Sequence, residues 1–447
     1  MRSLVCPIAL ALAAALALAP SPACGEEDFY DAMPYFLQVT QEERQETVSR
    51  DSSILRVYPD TQNDQVDADM RALVDEMAEA NRDRLPARAK LADACLDVGP
   101  YISRTGTSWM SFLTVARVAA DREQLWVDYD ARVYDIETGE RILLTDVFAP
   151  DSPAWALLSQ AVREQLTAAF PQEEPDAAAL DALCRPESLQ DAPFTLGAAR
   201  LTLTYRADAL YPGKNTLLHV VLYYPQIRPH MTPRAQAQTD NSRFRMVALT
   251  YDDGGARSYT MNVLSRLRLG AASATFFVVG KNIAQNHDTL CRQQDAGFSV
   301  QSHGYYHIYS YDMDVQDAFD WKQRFADELS AVTGVPPTLM RAPGGSDDFY
   351  AENGIGYPLI HWSLSSADSG NDAYRQIAQR VIYRIVDGDI VLMHDINKGA
   401  YRYTQSIVEA LNRRGFLCVT VQELFADAGV PLLENQVYYG VGPAVEK

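Results

Sequence analysis

Hydrophobic and polar positions follow no single rhythm over the first half of the chain and settle into a regular strand-and-helix alternation over the second. Met70, Leu73, Val74 and Met77 recur at three- and four-residue intervals, which stacks them on one face of a helix predicted at 64–84 and stopped by Pro86. Residues 109–118 and 125–134 are rich in aromatic and β-branched residues and predict strands. The turn Glu137-Thr138-Gly139-Glu140 leads into another at 141–144. A helix at 154–170 and strands at 199–205 and 217–224 complete an α+β domain over 25–227 that shows no catalytic constellation. Residues 228–242 carry Pro229 and Pro233 and then polar positions without an apolar period, which predicts an interdomain linker. Beyond it, apolar strands are predicted at 246–251, 274–279, 298–301, 338–340, 359–364, 389–393 and 416–421. Helical segments such as 258–269, 314–332, 372–386 and 403–414 separate them. This α/β rhythm over 243–430 predicts a distorted (β/α) barrel of about seven units, one fewer than the usual eight, with a doubly wound open sheet as the alternative. A tail over 431–447 contains Val437-Tyr438-Tyr439.

The N-terminus adds a compartment. Arg2 and a nearly unbroken apolar run from Leu4 to Pro20 have the form of a secretory signal and are short for a membrane span. Residues 1–24 are therefore read as a signal, with Ser21, Ala23 and Cys24 among the small residues around the cleavage point. Cys24, between Ala23 and Gly25, offers the alternative of a lipidated, membrane-attached N-terminus. Either reading places the protein outside the cytoplasm, secreted or on a bacterial cell surface. A formal net charge of -20 argues against nucleic acid and anionic lipid as partners, because binding them requires neutralising phosphates; a neutral polymer remains compatible. Cys95, Cys184, Cys291 and Cys418 have no C-x-x-C spacing; Cys95 pairing with Cys184 and four free thiols both stay open.

The chemistry-bearing residues fall at strand ends. Asp252 and Asp253 close the first predicted barrel strand, and His303 and His307, in Ser302-His303-Gly304-Tyr305-Tyr306-His307, follow the third. Arg341 closes the fourth, Asp368 follows the fifth and His394 ends the sixth. In a parallel β/α fold the C-terminal strand ends form one face, so these residues can converge. Two imidazoles and a carboxylate with open positions suit a divalent metal that holds a reactive water, and a second carboxylate can serve as base. Singly, each has an ordinary reading. Asp252-Asp253-Gly254 is a turn, the histidine pair a surface coincidence, Arg341 a structural ion-pair residue, and His394 a core histidine bonded to Asp395 or backbone. Their joint placement on one face favours the chemistry.

Read in order, Thr250-Tyr251-Asp252-Asp253-Gly254, Ala274-Thr275-Phe276-Phe277-Val278-Val279-Gly280, His303-x-x-x-His307, Arg341-Ala342-Pro343-Gly344-Gly345 and Leu392-Met393-His394-Asp395 resemble the polysaccharide deacetylases with NodB homology, carbohydrate esterase family 4. The resemblance spans about residues 243–426. It implies that Asp253, His303 and His307 hold a divalent metal, Zn2+ with Co2+ or Mn2+ as alternatives, and that Asp252 is the general base, oriented by Arg341. It further implies Gly344 N–H as an oxyanion donor, His394 as the acid that protonates the leaving amine, Asp368 as its partner, and Leu392 lining a slot for the acetyl methyl. Tyr305, with Tyr306, Tyr309 and Tyr311, is either a sugar-stacking platform or packing under the loop. Three blocks depart from the family pattern: Gly344 stands where Tyr is frequent, Ser365 and Ser369 replace Asp and Trp, and Gly304 replaces Ser or Thr after the first metal histidine.

Residues 131–148, Ala131 through Phe148, are similar to the extracytoplasmic domain found ahead of some bacterial peptidoglycan deacetylases and in a lysozyme-sensing anti-sigma factor. The expected function is metal-dependent hydrolysis of N-acetyl groups on a cell-wall polysaccharide, peptidoglycan first. The alternatives are an O-deacetylase on acetylated xylan and a weakly active wall-binding or lysozyme-sensing protein, whose N-terminal domain takes a protein ligand.

Overall fold

The computed structural model describes residues 39–86, 94–254, 257–309, 312–370 and 372–441. The expected signal, Cys24 and Tyr311 lie outside them. The N-terminal part is rich in strands: β1 (Thr40–Ser49), β2 (Ser52–Asp60), β3 (Ala94–Thr105), β4 (Trp109–Ala120), β5 (Glu123–Asp135) and β6 (Glu140–Ile142) form one sheet in sequential order. Helix Asp64–Asn81 covers it. Asn63 caps the helix by accepting from Gln65 N and Val66 N, and Val66, Met70, Leu73, Val74 and Met77 face the sheet core. β7 (Phe194–Leu196), β8 (Arg200–Arg206) and β9 (Leu217–Tyr223) form a second, antiparallel sheet whose core includes Leu158, Val162 and Leu166 of helix Ala154–Ala168.

The segment expected as a linker is folded. Pro233–Gln238 is a short helix capped by Thr232, and Met231 and Ala235 are buried in the core of the second sheet. Thr232 N and Oγ1 donate to Val147 O and Asp146 O, both at 2.8 Å. The prolines that suggested a linker start these short turns, where a missing N–H is tolerated.

The C-terminal part is a parallel β/α sheet. β10 (Arg245–Asp253), β11 (Thr275–Val278), β12 (Ser299–Ser302), β13 (Leu359–Ile360), β14 (Leu364–Ser365), β15 (Ile390–His394) and β16 (Phe416–Val419) carry it. Pairing runs β12-β11-β10-β15-β14, with β16 against the lower half of β10. Bridges from Ser302 to Met340 and from Met340 to Leu359 bring the two ends of that order towards each other. The predicted strand at 338–340 is only this bridge, because Pro336 and Pro337 remove donors from its approach. The tail is held by β17 (Val437–Tyr438), parallel to β13. Helices Arg257–Leu269, Val315–Thr333, Tyr374–Arg384 and Ala400–Arg413 lie close to their predicted spans.

The register positions the site. β10 and β15 pair Asp252 with His394, β10 and β11 pair Asp253 with Val278, and β11 and β12 pair Val278 with Ser302, one residue before His303. Adjacent strands lie about 5 Å apart, so four neighbouring strand ends bring these groups together.

Candidate metal centre and catalytic face

Asp253, His303 and His307 offer ligand atoms that all lie within 4.8 Å of one another. His307 Nε2 and His303 Nε2 are 3.6 and 3.7 Å from Asp253 Oδ1. His303 is buried, and its Nδ1 donates to Arg341 O at 2.9 Å, which fixes the tautomer and leaves the Nε2 lone pair facing Asp253. Burial lowers the pKa of His303, favouring the neutral imidazole that a metal requires. Two nitrogens and one carboxylate at this spacing fit a divalent ion with open coordination positions, and zinc suits the donor set.

Local backbone aims the carboxylate. Asp253 has φ of 79° and Gly254 of 59°, left-handed values that an aspartate adopts only when its surroundings hold it there. Gly254 is gripped at both ends: its N–H donates to Asp395 Oδ1 at 3.1 Å, and its carbonyl accepts from Asn282 Nδ2 at 3.1 Å. Thr260 Oγ1 donates to the other Asp395 oxygen at 2.8 Å. Burial, with the nearby charges of Asp253 and Asp252, pushes the Asp395 carboxyl up to about 7.

Asp252 is 3% exposed, and its Oδ1 accepts from Arg341 Nη1 at 2.7 Å. Arg341 is fully buried, with Nη1 also donating to Thr250 Oγ1 (2.7 Å), Nε to Ile360 O (2.9 Å) and Nη2 to His361 O (3.0 Å). A guanidinium saturated this way cannot swing, so Asp252 is held in place with Oδ2 3.8 Å from His303 Nε2.

His394 lies across the strand pair. Its Nδ1 donates to Asp368 Oδ1 at 2.7 Å, while its backbone N–H donates to Asp368 Oδ2 at 2.8 Å. Tyr403 OH reaches Asp368 Oδ2 at 2.5 Å and His394 O at 2.8 Å, and Asn397 Nδ2 donates to Asp368 Oδ2 at 3.2 Å. Burial alone would lower the imidazole pKa. The hydrogen bond and charge of Asp368, with the charges of Asp252 and Asp253, outweigh it and raise His394 to about 9. The Asp395 side chain, one candidate partner for His394 in the sequence, turns to Gly254 instead.

The remaining predicted residues divide. Gly344, with φ of 65°, lies against Tyr309: a Cβ there would stand 2.2 Å from Tyr309 Cε1. The Tyr309 ring is 5.8 Å from that of His307. Leu392 is buried on β15 opposite Thr250. Of the two readings of Tyr305, the packing one fits its surroundings: it is 5% exposed, and its hydroxyl donates to Glu328 Oε1 at 2.9 Å. Its ring packs on Gly280 and against Tyr306, which contacts Trp321, so both rings support the loop from below. Gly304 has φ of 72°, which explains glycine there, and its N–H donates to Ser302 Oγ at 3.2 Å. Tyr403, Asn397 and Asn282 carried no sequence signal. Asp395 was visible within its block, but its partner was not.

A parallel β/α sheet thus gathers a candidate metal triad, an Asp–Arg pair and an Asp–His pair at its C-terminal strand ends. The model of the polysaccharide deacetylase family matches residues 239–355. A peptidoglycan-N-acetylglucosamine deacetylase of Listeria monocytogenes is 32% identical over 183 residues, covering 41% of this chain and 39% of that protein. A chitin deacetylase of Colletotrichum lindemuthianum is 30% identical over 200 residues, covering 41% of this chain and 80% of that protein. The solved peptidoglycan deacetylase of Bacillus subtilis matches with TM-score 0.40 and 27% identity, covering 42% of this chain and 94% of that one. The chain belongs to the polysaccharide deacetylase family. It matches the Listeria relative over about two fifths of that protein's length.

Proposed function

We propose that this chain is a metal-dependent N-deacetylase of a cell-wall polysaccharide, acting outside the cytoplasm on the N-acetylhexosamine of peptidoglycan. The observation that carries the reading is Asp252: a buried carboxylate locked by Arg341, 3.8 Å from a metal-ligating histidine and paired across the sheet with His394. The names of the Listeria and Colletotrichum relatives support N-acetylated glycans as the substrate class.

Asp253, His303 and His307 would hold the ion, and a bound divalent cation supplies Lewis acidity towards the acetyl carbonyl and lowers the pKa of water. Asp252 takes the proton as the water oxygen attacks the acetyl carbon. Arg341 keeps that carboxylate aimed through its hydrogen bond to Oδ1. Gly344 lies against Tyr309, whose ring stands 5.8 Å from that of His307, and its N–H would donate to the developing oxyanion. His394, protonated at neutral pH, delivers its proton to the nitrogen as the C–N bond breaks, so the leaving group departs as an amine and acetate remains. Asp368 stabilises the imidazolium before transfer and holds the ring afterwards. Leu392 offers an apolar wall to the acetyl methyl.

Acetate released from purified peptidoglycan, and from acetylated xylan for comparison, tests this. Release from peptidoglycan that stops with a chelator and falls about 10²- to 10⁴-fold in Asp252→Asn, with metal content unchanged, is the expected result. Release from xylan alone would make the protein an O-deacetylase, and full activity in Asp252→Asn would remove Asp252 as the base.

A further inference from the structure

The formal charge of the chain is -20, yet the lip beside His394 is cationic. Helices Tyr374–Arg384 and Ala400–Arg413 follow β14 and β15, so their first turns stand on the same face as His394. Those turns carry Arg375 and Arg402 and no acidic residue. Cations there oppose the helix dipole, so helix stability does not account for them. Lys398 joins them from the loop between β15 and the second helix. That loop is tied to the catalytic pair by Asn397 and touches the first helix where Gly399 meets Tyr374.

The two guanidinium groups are preset rather than loose. Arg402 Nε donates to Tyr401 OH at 2.9 Å, and its Cζ lies 5.5 Å from the rings of both Tyr374 and Tyr401. Arg375 Nε donates to Tyr374 OH at 3.2 Å, with Cζ 5.8 Å from that ring. Among the described residues no carboxylate pairs with Arg375, Lys398 or Arg402, and the exposed acid of this lip, Asp372, is already bound by Arg380. Arg375, Lys398 and Arg402 are all exposed.

We propose that Tyr374, Arg375, Lys398, Tyr401 and Arg402 form a subsite for a carboxylate carried by the glycan, so that the enzyme selects an acidic N-acetylated polymer over a neutral one. The tyrosines offer faces to a sugar ring while the guanidinium and ammonium groups meet the carboxylate. The inference rests on the deacetylase reading and deepens it: a peptidoglycan strand with lactyl or peptide carboxylates fits, and a plain N-acetylglucosamine chain does not use the subsite.

The test compares wild-type full-length, metal-loaded protein with the Arg375→Gln/Lys398→Gln/Arg402→Gln variant. The probes are a muramic-acid-containing peptidoglycan oligosaccharide and a chitin oligosaccharide of equal length. The readouts are equilibrium binding and, separately, acetate release, at low and high salt. The expected result is tighter wild-type binding of the acidic oligosaccharide, weakened about tenfold in the variant and by high salt, with chitin binding and kcat unchanged. Equal affinity of wild type for both oligosaccharides, or an equal loss for both in a variant with unchanged thermal unfolding, overturns the subsite. Charge-selective binding without acetate release from either oligosaccharide would sustain the subsite and sink the deacetylase reading instead.

Discussion

Asp368 spends its hydrogen-bonding capacity on one task. Both oxygens accept from His394, through the ring and the backbone, and Tyr403 and Asn397 fill the remaining positions. Asp368→Asn should therefore return the His394 pKa from about 9 towards the ordinary imidazole range. In the proposed reaction His394 must be protonated to release the amine, so the alkaline limb of the activity profile should move to lower pH, with KM little changed. The same pair acts on stability with a definite sign. Because the folded-state pKa of His394 is raised, its contribution is fully present below about 6.5 and is lost as pH rises through about 9. Thermal unfolding across that window should show the loss in wild type and not in Asp368→Asn; an unchanged pH profile in the variant would assign His394 another role. Asp395 acts on the other side of the site. Without its carboxylate the Gly254 N–H has no acceptor and the left-handed Asp253 loses its brace, so Asp395→Ala should weaken zinc binding about 10- to 100-fold in a chelator competition. Affinity equal to wild type would show that the turn holds its shape unaided.

Secondary elements were legible where one face is apolar and the other meets water. Helix Asp64–Asn81 and helix Val315–Thr333 appear within a few residues of their predicted spans because their buried positions keep helical spacing. The parallel strands read as short apolar runs for the complementary reason, burial on both faces. Two kinds of element escaped. Strand β3 contains Asp97, Gly99, Pro100 and Arg104, and β1 reads Thr-Gln-Glu-Glu-Arg-Gln-Glu, so neither shows a strand composition. β3 is held by its neighbours on both sides, while β1 is an exposed edge on which charged residues discourage further pairing. That Asp253, His303, His307, Asp252, Arg341 and His394 come together was legible because chain order placed each at or just after a strand end. Tyr403, Asn397 and Asn282 were not, because their roles depend on which loop approaches which carboxylate or carbonyl, and local patterning does not encode that.

At the scale of the molecule, a helix between two predicted strands, for which the sequence reading named no span, joins the two domains. His287–Asp295 reads His-Asp-Thr-Leu-Cys-Arg-Gln-Gln-Asp, a surface composition, yet Asp288 through Asp295 are buried. The N-terminal domain supplies their partners. Asp97 of β3 accepts from Arg268 Nη1 at 2.8 Å and from Arg292 Nη2, and Asp295 accepts from Gln124, Thr216 and the Leu217 N–H. Burial would raise the pKa of Asp97, but Arg292, Arg268 and Arg117 hold its carboxyl well below the usual range. Removing one member of such a buried cluster strands the others, so Asp97→Ala should destabilise the protein by about 3–5 kcal/mol in denaturant unfolding. The loss should not stay local. The helix begins directly after Asn286, whose side chain donates to Asn282 O, and Asn282 in turn holds the Gly254 carbonyl behind Asp253, a candidate metal ligand. Loosening the interface therefore releases one of the two grips on the metal turn. Amide exchange in Asp97→Ala should rise along 287–295 and at Gly254 together, with the whole chain still unfolding in one transition. Two separated transitions, or faster exchange confined to the N-terminal sheet, would show instead that the C-terminal sheet holds the candidate metal turn without the domain packed against it.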